Sequence, residues 1–308
     1  MSKQLSVVIL VLLSVLFLSA NSAQAFPLEG ERIAKLEDSM RVFSFAMIRD
    51  SLFETRNEAH QQFAALLEEA LSLPGSFEHP FESIETISIL YSPKREFRVI
   101  TWQICQNSNQ YHYFGHVQTN GKQPQLFKLK DNSESVMAPQ REVLTADKWF
   151  GALYYNLHEV KIKRKKYYLL FGFDANDLQN RKKLIDVLSF KKGKPSFGAP
   201  IFVTREANGK VMETVNRFIL TYSPSSSIGL NYDKKLKMIV YDNLIPFPSP
   251  YQQEGFGMVP DGSYRGLELK DKLWYPVERL YTQTQEEAPR PNPILDNRKG
   301  KSGLFGPK

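Results

Sequence analysis

The chain has 308 residues, 42% of them hydrophobic and 24% charged, with 17 Gly, 18 Pro and a formal net charge of +7. Those values are close to globular averages and exclude collagen, coiled coil and general disorder. A single cysteine, Cys105, excludes an internal disulfide framework.

At the N-terminus Lys3 precedes an apolar run from Leu5 to Leu18, and Ala23-Gln24-Ala25 follows it. This pattern predicts a secretory signal peptide over residues 1–25, with cleavage after Ala25. The run is shorter than the roughly 20 residues that cross a bilayer, and no comparable run follows. The expectation is a periplasmic or secreted protein with no transmembrane segment in its mature chain. No Asn-x-Ser/Thr sequon is present, which agrees with a bacterial source.

Residues 26–75 read as a helical segment. Ile33, Leu36, Met40, Phe43 and Met47, then Ala59, Phe63, Leu66, Leu67 and Ala70, recur at the spacing of two amphipathic helices. Thr55 and Glu58 have capping-box spacing at the start of the second, and Leu73-Pro74-Gly75 stops it. From Tyr91 the period changes to short β-branched and aromatic runs. The turn signals between them are Ser92-Pro93, Asn107-Ser108-Asn109, Asn120-Gly121, Asn208-Gly209, Ser223-Pro224 and Asp261-Gly262.

Strands are predicted at 97–105, 111–118, 150–161, 167–173, 184–190, 217–222, 228–232, 236–241, 264–269 and 273–280. The fold class is therefore mainly β: an antiparallel meander of hairpins over residues 76–282, preceded by two N-terminal helices. Sandwich, barrel and propeller-like arrangements all remain open. Residues 283–308, rich in Pro, Asn and Lys, read as a disordered tail.

Phe97-Arg98-Val99-Ile100-Thr101-Trp102-Gln103, Tyr113-Phe114-Gly115, Gly151-Ala152-Leu153-Tyr154-Tyr155, the run from Tyr167 to Asn176 and Pro260-Asp261-Gly262-Ser263-Tyr264 resemble a family of secreted proteins from Gram-negative bacteria. The resemblance implies export and a strand-rich fold, and no activity comes with it.

No dinucleotide fingerprint, P-loop, zincin helix or nucleophile elbow is present, so no cofactor is expected. Cys105 lies in an apolar-rich strand with no basic neighbour, the setting of a structural thiol. His112 and His116 share a strand face about 13 Å apart, too far to ligate one zinc.

Asp174, Asn176 and Asp177 cluster in a turn, where alternate oxygen ligands suit calcium and where Asp and Asn also stabilise turns by themselves. Lys161, Lys163, Arg164, Lys165 and Lys166 surround another turn, with Lys182, Lys183, Lys191, Lys192 and Lys194 flanking the next strand. If these loops meet, they form a basic patch for an anionic polymer or lipid headgroups; nucleic acid is the least expected partner outside the cytoplasm. Tyr154-Tyr155 and Tyr167-Tyr168 place one ring on each strand face, so one ring of each pair could meet a glycan or protein. Trp102, Trp149 and Trp274 read as core anchors. The leading functional expectation is a non-catalytic binding or structural module of the cell envelope. The alternative is a hydrolase of an envelope polymer that uses a pair of Asp or Glu residues from distant strands.

Overall fold

The N-terminal apolar periodicity becomes two packed helices, α1 (Ala25–Arg49) and α2 (Phe53–Ser72), in a computed structural model that describes residues 25–107, 110–121, 124–175, 179–205, 211–248, 256–277 and 280. Arg32 of α1 and Glu69 of α2 are joined at 2.6 Å, so the two helices run antiparallel. No side chain caps α2: its first residue is Phe53, after an Asp50 carboxylate that accepts from the Leu52 amide at 2.9 Å. Thr55 and Glu58 thus lie inside the helix and do not form the expected capping box. At the other end Gly75 adopts φ 78°, the left-handed conformation that glycine takes without penalty.

The rest is mainly β, in three sheets. Sheet 1 is a meander of β1 (Ser88–Tyr91), β2 (Phe97–Asn107), β3 (Gln110–Thr119) and β4 (Leu126–Lys130). Sheet 2 orders β5 (Leu144–Thr145), β9 (Lys194–Phe197), β8 (Arg181–Lys191), β7 (Lys165–Asp174) and β6 (Leu153–Ile162), and β12 (Phe218–Tyr222) also pairs with β8. Sheet 3 orders β11 (Val211–Val215), β10 (Phe202–Arg205), β16 (Leu273–Val277), β15 (Phe256–Lys270), β14 (Met238–Pro248) and β13 (Leu230–Asp233). Each sheet keeps open edge strands among the described residues, and none closes into a barrel. Among the described residues pairing is antiparallel except for two single parallel contacts, Phe202 with Trp274 between β10 and β16 and the isolated bridge of Asp131 with Trp149.

Strand alternation assigns each face to a layer. On β2, Ile100, Trp102 and Ile104 pack under the helices, whereas Phe97 and Val99 face sheet 2. On β7, Tyr168 and Leu170 face sheet 1, and Leu169 and Phe171 face sheet 3. The order is therefore helices, sheet 1, sheet 2, sheet 3. Because sheet 2 is covered on both sides, the stretch Tyr167 to Phe173 is apolar almost throughout, as two-faced burial demands. On β6, a bulge between Tyr154 and Asn156 shifts the register, so Tyr154 faces sheet 1 and Val160 and Ile162 face sheet 3.

This layering corrects the expectation for the tyrosine pairs. Tyr154 and Tyr168 are buried; Tyr155 donates to the Leu230 carbonyl at 2.6 Å, and Tyr167 packs on the core between sheets 2 and 3. The three tryptophans are core residues, each at most 1% exposed. Asp261-Gly262 is not a hairpin turn. It is a bulge inside β15, opposite the register break between Asp242 and Leu244, where Asp261 accepts from the Ser263 amide and hydroxyl.

Two buried cations pin the layers. Arg98 donates to Gln118, to the His79 and Ser76 carbonyls and to the Tyr91 hydroxyl, and Phe77 and Phe81 lie over its guanidinium. Arg217 pairs with Asp186 at 2.9 Å, both fully buried. Tyr154 donates to Asp186, and Trp149 donates to Tyr154. Buried charges paired in this way are tolerated inside, although Arg217 Nε meets no hydrogen-bond acceptor among the described residues, and removing one partner is costly. No helix among the described residues is long and apolar enough to cross a membrane.

Candidate functional site

The β6–β7 hairpin carries the five basic residues singled out from the sequence. Lys161 sits opposite Lys166 across the ladder, and Lys163 and Arg164 form the two-residue turn at φ 48° and 65°. Lys165 lies over the Tyr167 ring at 4.9 Å. Lys166 reaches across to Glu96 on sheet 1 at 2.7 Å, and that hydrogen bond lowers the Glu96 carboxyl pKa and raises that of Lys166.

Register shows what else meets at this end. Tyr168 pairs with Leu188, so the β8–β9 turn, with Lys191, Lys192 and Lys194, lies beside the β6–β7 turn. Lys182 and Lys183 are at the opposite end of β8 and do not join the patch; Lys182 pairs with Asp174. Glu96 brings the β1–β2 turn with Lys94 and Arg95 to the same end. On sheet 3, β13 runs alongside β6 in the same direction, with Tyr155 bonded to Leu230, Asn156 to Asn231, and His158 stacked on Tyr232 at 3.5 Å. The β13–β14 turn, with Lys234, Lys235 and Lys237, and the adjoining β15–β16 turn, with Lys270 and Lys272, therefore point the same way.

Five hairpin turns from three sheets thus converge. Segments 94–96, 161–166, 191–194, 233–237 and 270–272 hold fifteen Lys and Arg against the three carboxylates Glu96, Asp233 and Asp271. All fifteen except Lys166 are exposed. The basic residues also occupy strained backbone. Of the eight non-glycine described residues with positive φ, six are Arg95, Lys163, Arg164, Lys192, Lys237 and Lys272. Left-handed backbone costs an L-residue with a Cβ roughly 1–2 kcal/mol, and Asn-Gly is the preferred occupant of such two-residue turns.

The opposite end of the same strands holds a cleft of about 350 Å³ between sheets 1 and 2. Gln110, Tyr111, His112 and Tyr113 of β3 line it, with the 131–134 turn, Phe150, Asp174 and Lys182. The fold engages its two aspartates. Asp131 accepts from the Tyr113 amide at 3.1 Å, from the Ser133 amide and hydroxyl, and from the Gly151 amide. A Cβ at Gly151 would lie 2.5 Å from that carboxylate, which is why the position is glycine. Asp174, 5% exposed, accepts from the Tyr113 hydroxyl at 3.1 Å and faces Lys182 at 3.6 Å. Burial, then the Asp174 charge, pushes the Tyr113 hydroxyl pKa far up, so it stays a neutral donor.

Asp174, the first calcium candidate, therefore points into the interface with a cation beside it. Asn176 and Asp177 lie outside the described residues. Among the described residues no three His, Cys, Asp or Glu side chains form a metal-binding group. The two paired histidine candidates separate as their spacing requires: His112 bonds to Gln106, whereas His116 is buried under α2 beside Glu68 at 3.3 Å.

Sequence reading missed the contribution of Lys234, Lys235, Lys237, Lys270 and Lys272 to the basic end, and it missed the cleft. The signals were present, with Lys234, Lys235, Lys270 and Lys272 in the gaps between predicted strands and Asp131-Asn132-Ser133 as turn-forming residues, but only long-range register assembles them. No family model, curated protein or solved structure matches the chain.

Proposed function

We propose that the protein is a non-catalytic binding module of the bacterial cell envelope, which docks its lysine-rich end on a phosphate-bearing lipid surface. The single observation that carries this reading is the retention of Lys and Arg at left-handed turn positions on one end of the stack. Folding alone would favour Asn or Gly there.

Three features support a lipid surface over other anions. The turns belong to sheets stacked about 10 Å apart, so the charges spread over a plane and do not line a groove. Thirteen of the fifteen are Lys, point charges suited to a fluid headgroup array, whereas bidentate reading of a fixed ligand favours Arg. Leu236 is 40% exposed between Lys235 and Lys237 at one tip, an apolar side chain placed to enter the headgroup boundary. Each Lys near an anionic surface contributes about 1 kcal/mol, so half a dozen contacts suffice for reversible attachment. Export follows the signal-like N-terminus and the resemblance to secreted proteins. The hydrolase reading loses support because the fold's own donors engage both cleft aspartates.

Sedimentation of the full chain with vesicles tests the proposal. Binding is expected to phosphatidylcholine vesicles containing phosphatidylglycerol, to fall steeply as salt screens the charges, and to be lost on phosphatidylcholine alone. Equal binding to both vesicle types, or binding to neither, contradicts it.

A further inference from the structure

The cleft at the far end lies apart from the lysine end and shares no residue with it. Its chemistry narrows what could enter. Asp131, Glu134 and Asp174 face Lys182 as the only Lys or Arg among the described lining residues, which disfavours an anion. Asp131 is engaged by four hydrogen bonds from the fold and Asp174 is paired with Lys182, so Glu134 is left as a single rim carboxylate, too little to hold a polycation. The Asn132 amide and the Glu134 carboxylate remain, making no side-chain hydrogen bond to the described protein, at the rim of a cleft walled by Tyr111, Tyr113 and Phe150.

A neutral amide and one carboxylate beside aromatic rings match a polyol: its hydroxyls pair with amide and carboxylate, and its C–H faces pack on the rings. The volume lies at the small end of the about 300–1,000 Å³ range of ligand sites. We propose that this cleft binds a neutral mono- or disaccharide, oriented by Asn132 and Glu134 and seated against Tyr111.

Saturation-transfer NMR on the full chain with chitobiose, maltose and N-acetylglucosamine tests this, with glucuronate and spermidine as charged controls. At least one neutral sugar is expected to bind, with little dependence on salt. The double variant N132A/E134A is expected to weaken it about tenfold or more, the worth of one charge-assisted hydrogen bond. Because neither side chain holds the fold, an unchanged circular dichroism spectrum and melting temperature are expected for the variant. Tyr111→Ala gives a second arm, removing the ring and leaving Asn132 and Glu134 in place, and the same sugar is expected to bind more weakly. The proposal is overturned if none of the sugars binds, if binding survives both variants undiminished, or if spermidine or glucuronate binds better. Vesicle attachment through the lysine end is expected to be unchanged in N132A/E134A, which separates failure of this site from failure of that surface.

Discussion

The two ends of the central sheet, separated by the ten residues of β7 at about 3.3 Å each, use charge in opposite ways. At the cleft end the aspartates serve the fold: Asp131 ties β3 to the 131–133 turn and to Gly151, and Asp174 ties Tyr113 to Lys182. At the turn end Lys166 pairs with Glu96, Lys270 with Glu268 and Arg95 with Glu78, but most of the lysines make no ion pair among the described residues, and several sit on backbone that resists them. Charge engaged by the protein reports on stability, and charge left over reports on a partner. Changes that break this contrast fall in an expected order.

The largest effect is expected deepest in the stack. Asp186→Asn leaves Arg217 buried without its counter-charge and is expected to cost about 3–5 kcal/mol in urea unfolding. The double change Asp186→Leu with Arg217→Met removes both charges and is expected to recover much of that loss. If the single variant is as stable as the parent, the pair does not hold sheet 2.

A titration comes next. Burial, then the nearby Lys128 charge, lowers the His60 pKa to about 4 from its ordinary 6.5, and the ring packs tilted against Phe114 at 3.9 Å. The folded state keeps His60 neutral, while the unfolded chain takes up a proton below pH 6.5. Its contribution is therefore intact above pH 6.5 and lost as pH falls from 6.5 to about 4, by up to about 1.4 kcal/mol per pH unit. His60→Phe is expected to flatten the urea midpoint over that window. Glu68, held down to about 2 chiefly by the His116 ring beside it at 3.3 Å and opposed by partial burial, adds a further loss below pH 4.5.

Gly151→Ala is expected to cost about 1–3 kcal/mol, because the new methyl must displace the Asp131 carboxylate. Its effect is local, and hydrogen exchange at the Ser133 and Tyr113 amides reads it. Gln substitutions at Lys234 and Lys235 are expected to change stability least, within about 0.5 kcal/mol each.

The helices and the long central strands were legible in the sequence because period alone defines them: Ile33 to Met47 recur at helical spacing, and the apolar stretch from Tyr167 to Phe173 marks a strand. Short strands such as β5 and β9 were not, since two to four residues carry too little pattern and their places are set by partners, β9 on β8 and β5 on β9. The far half of β14 was hidden by Pro246 and Pro248, which read as strand breakers and here lie on a ladder beside Met258 and Phe256. The basic end was half legible. Lys161 to Lys166 stand together in the sequence, whereas Lys234, Lys237 and Lys272 join them only through the pairing of β13, β14, β15 and β16.

The contrast between the two ends comes down to one variant. Replacing Lys163-Arg164 by Asn-Gly and Lys192 by Asn installs the residues that left-handed two-residue turns favour and deletes three charges. Vesicle binding and melting temperature are measured together, against a control that removes Lys35, Arg41 and Lys148, exposed bases elsewhere on the chain. The melting temperature of the turn variant is expected to rise while its binding to phosphatidylglycerol vesicles falls well below that of the equally charged control. Equal binding by the two variants would mean that net charge alone attracts the protein to anions, and that the lysine end is not a docking surface.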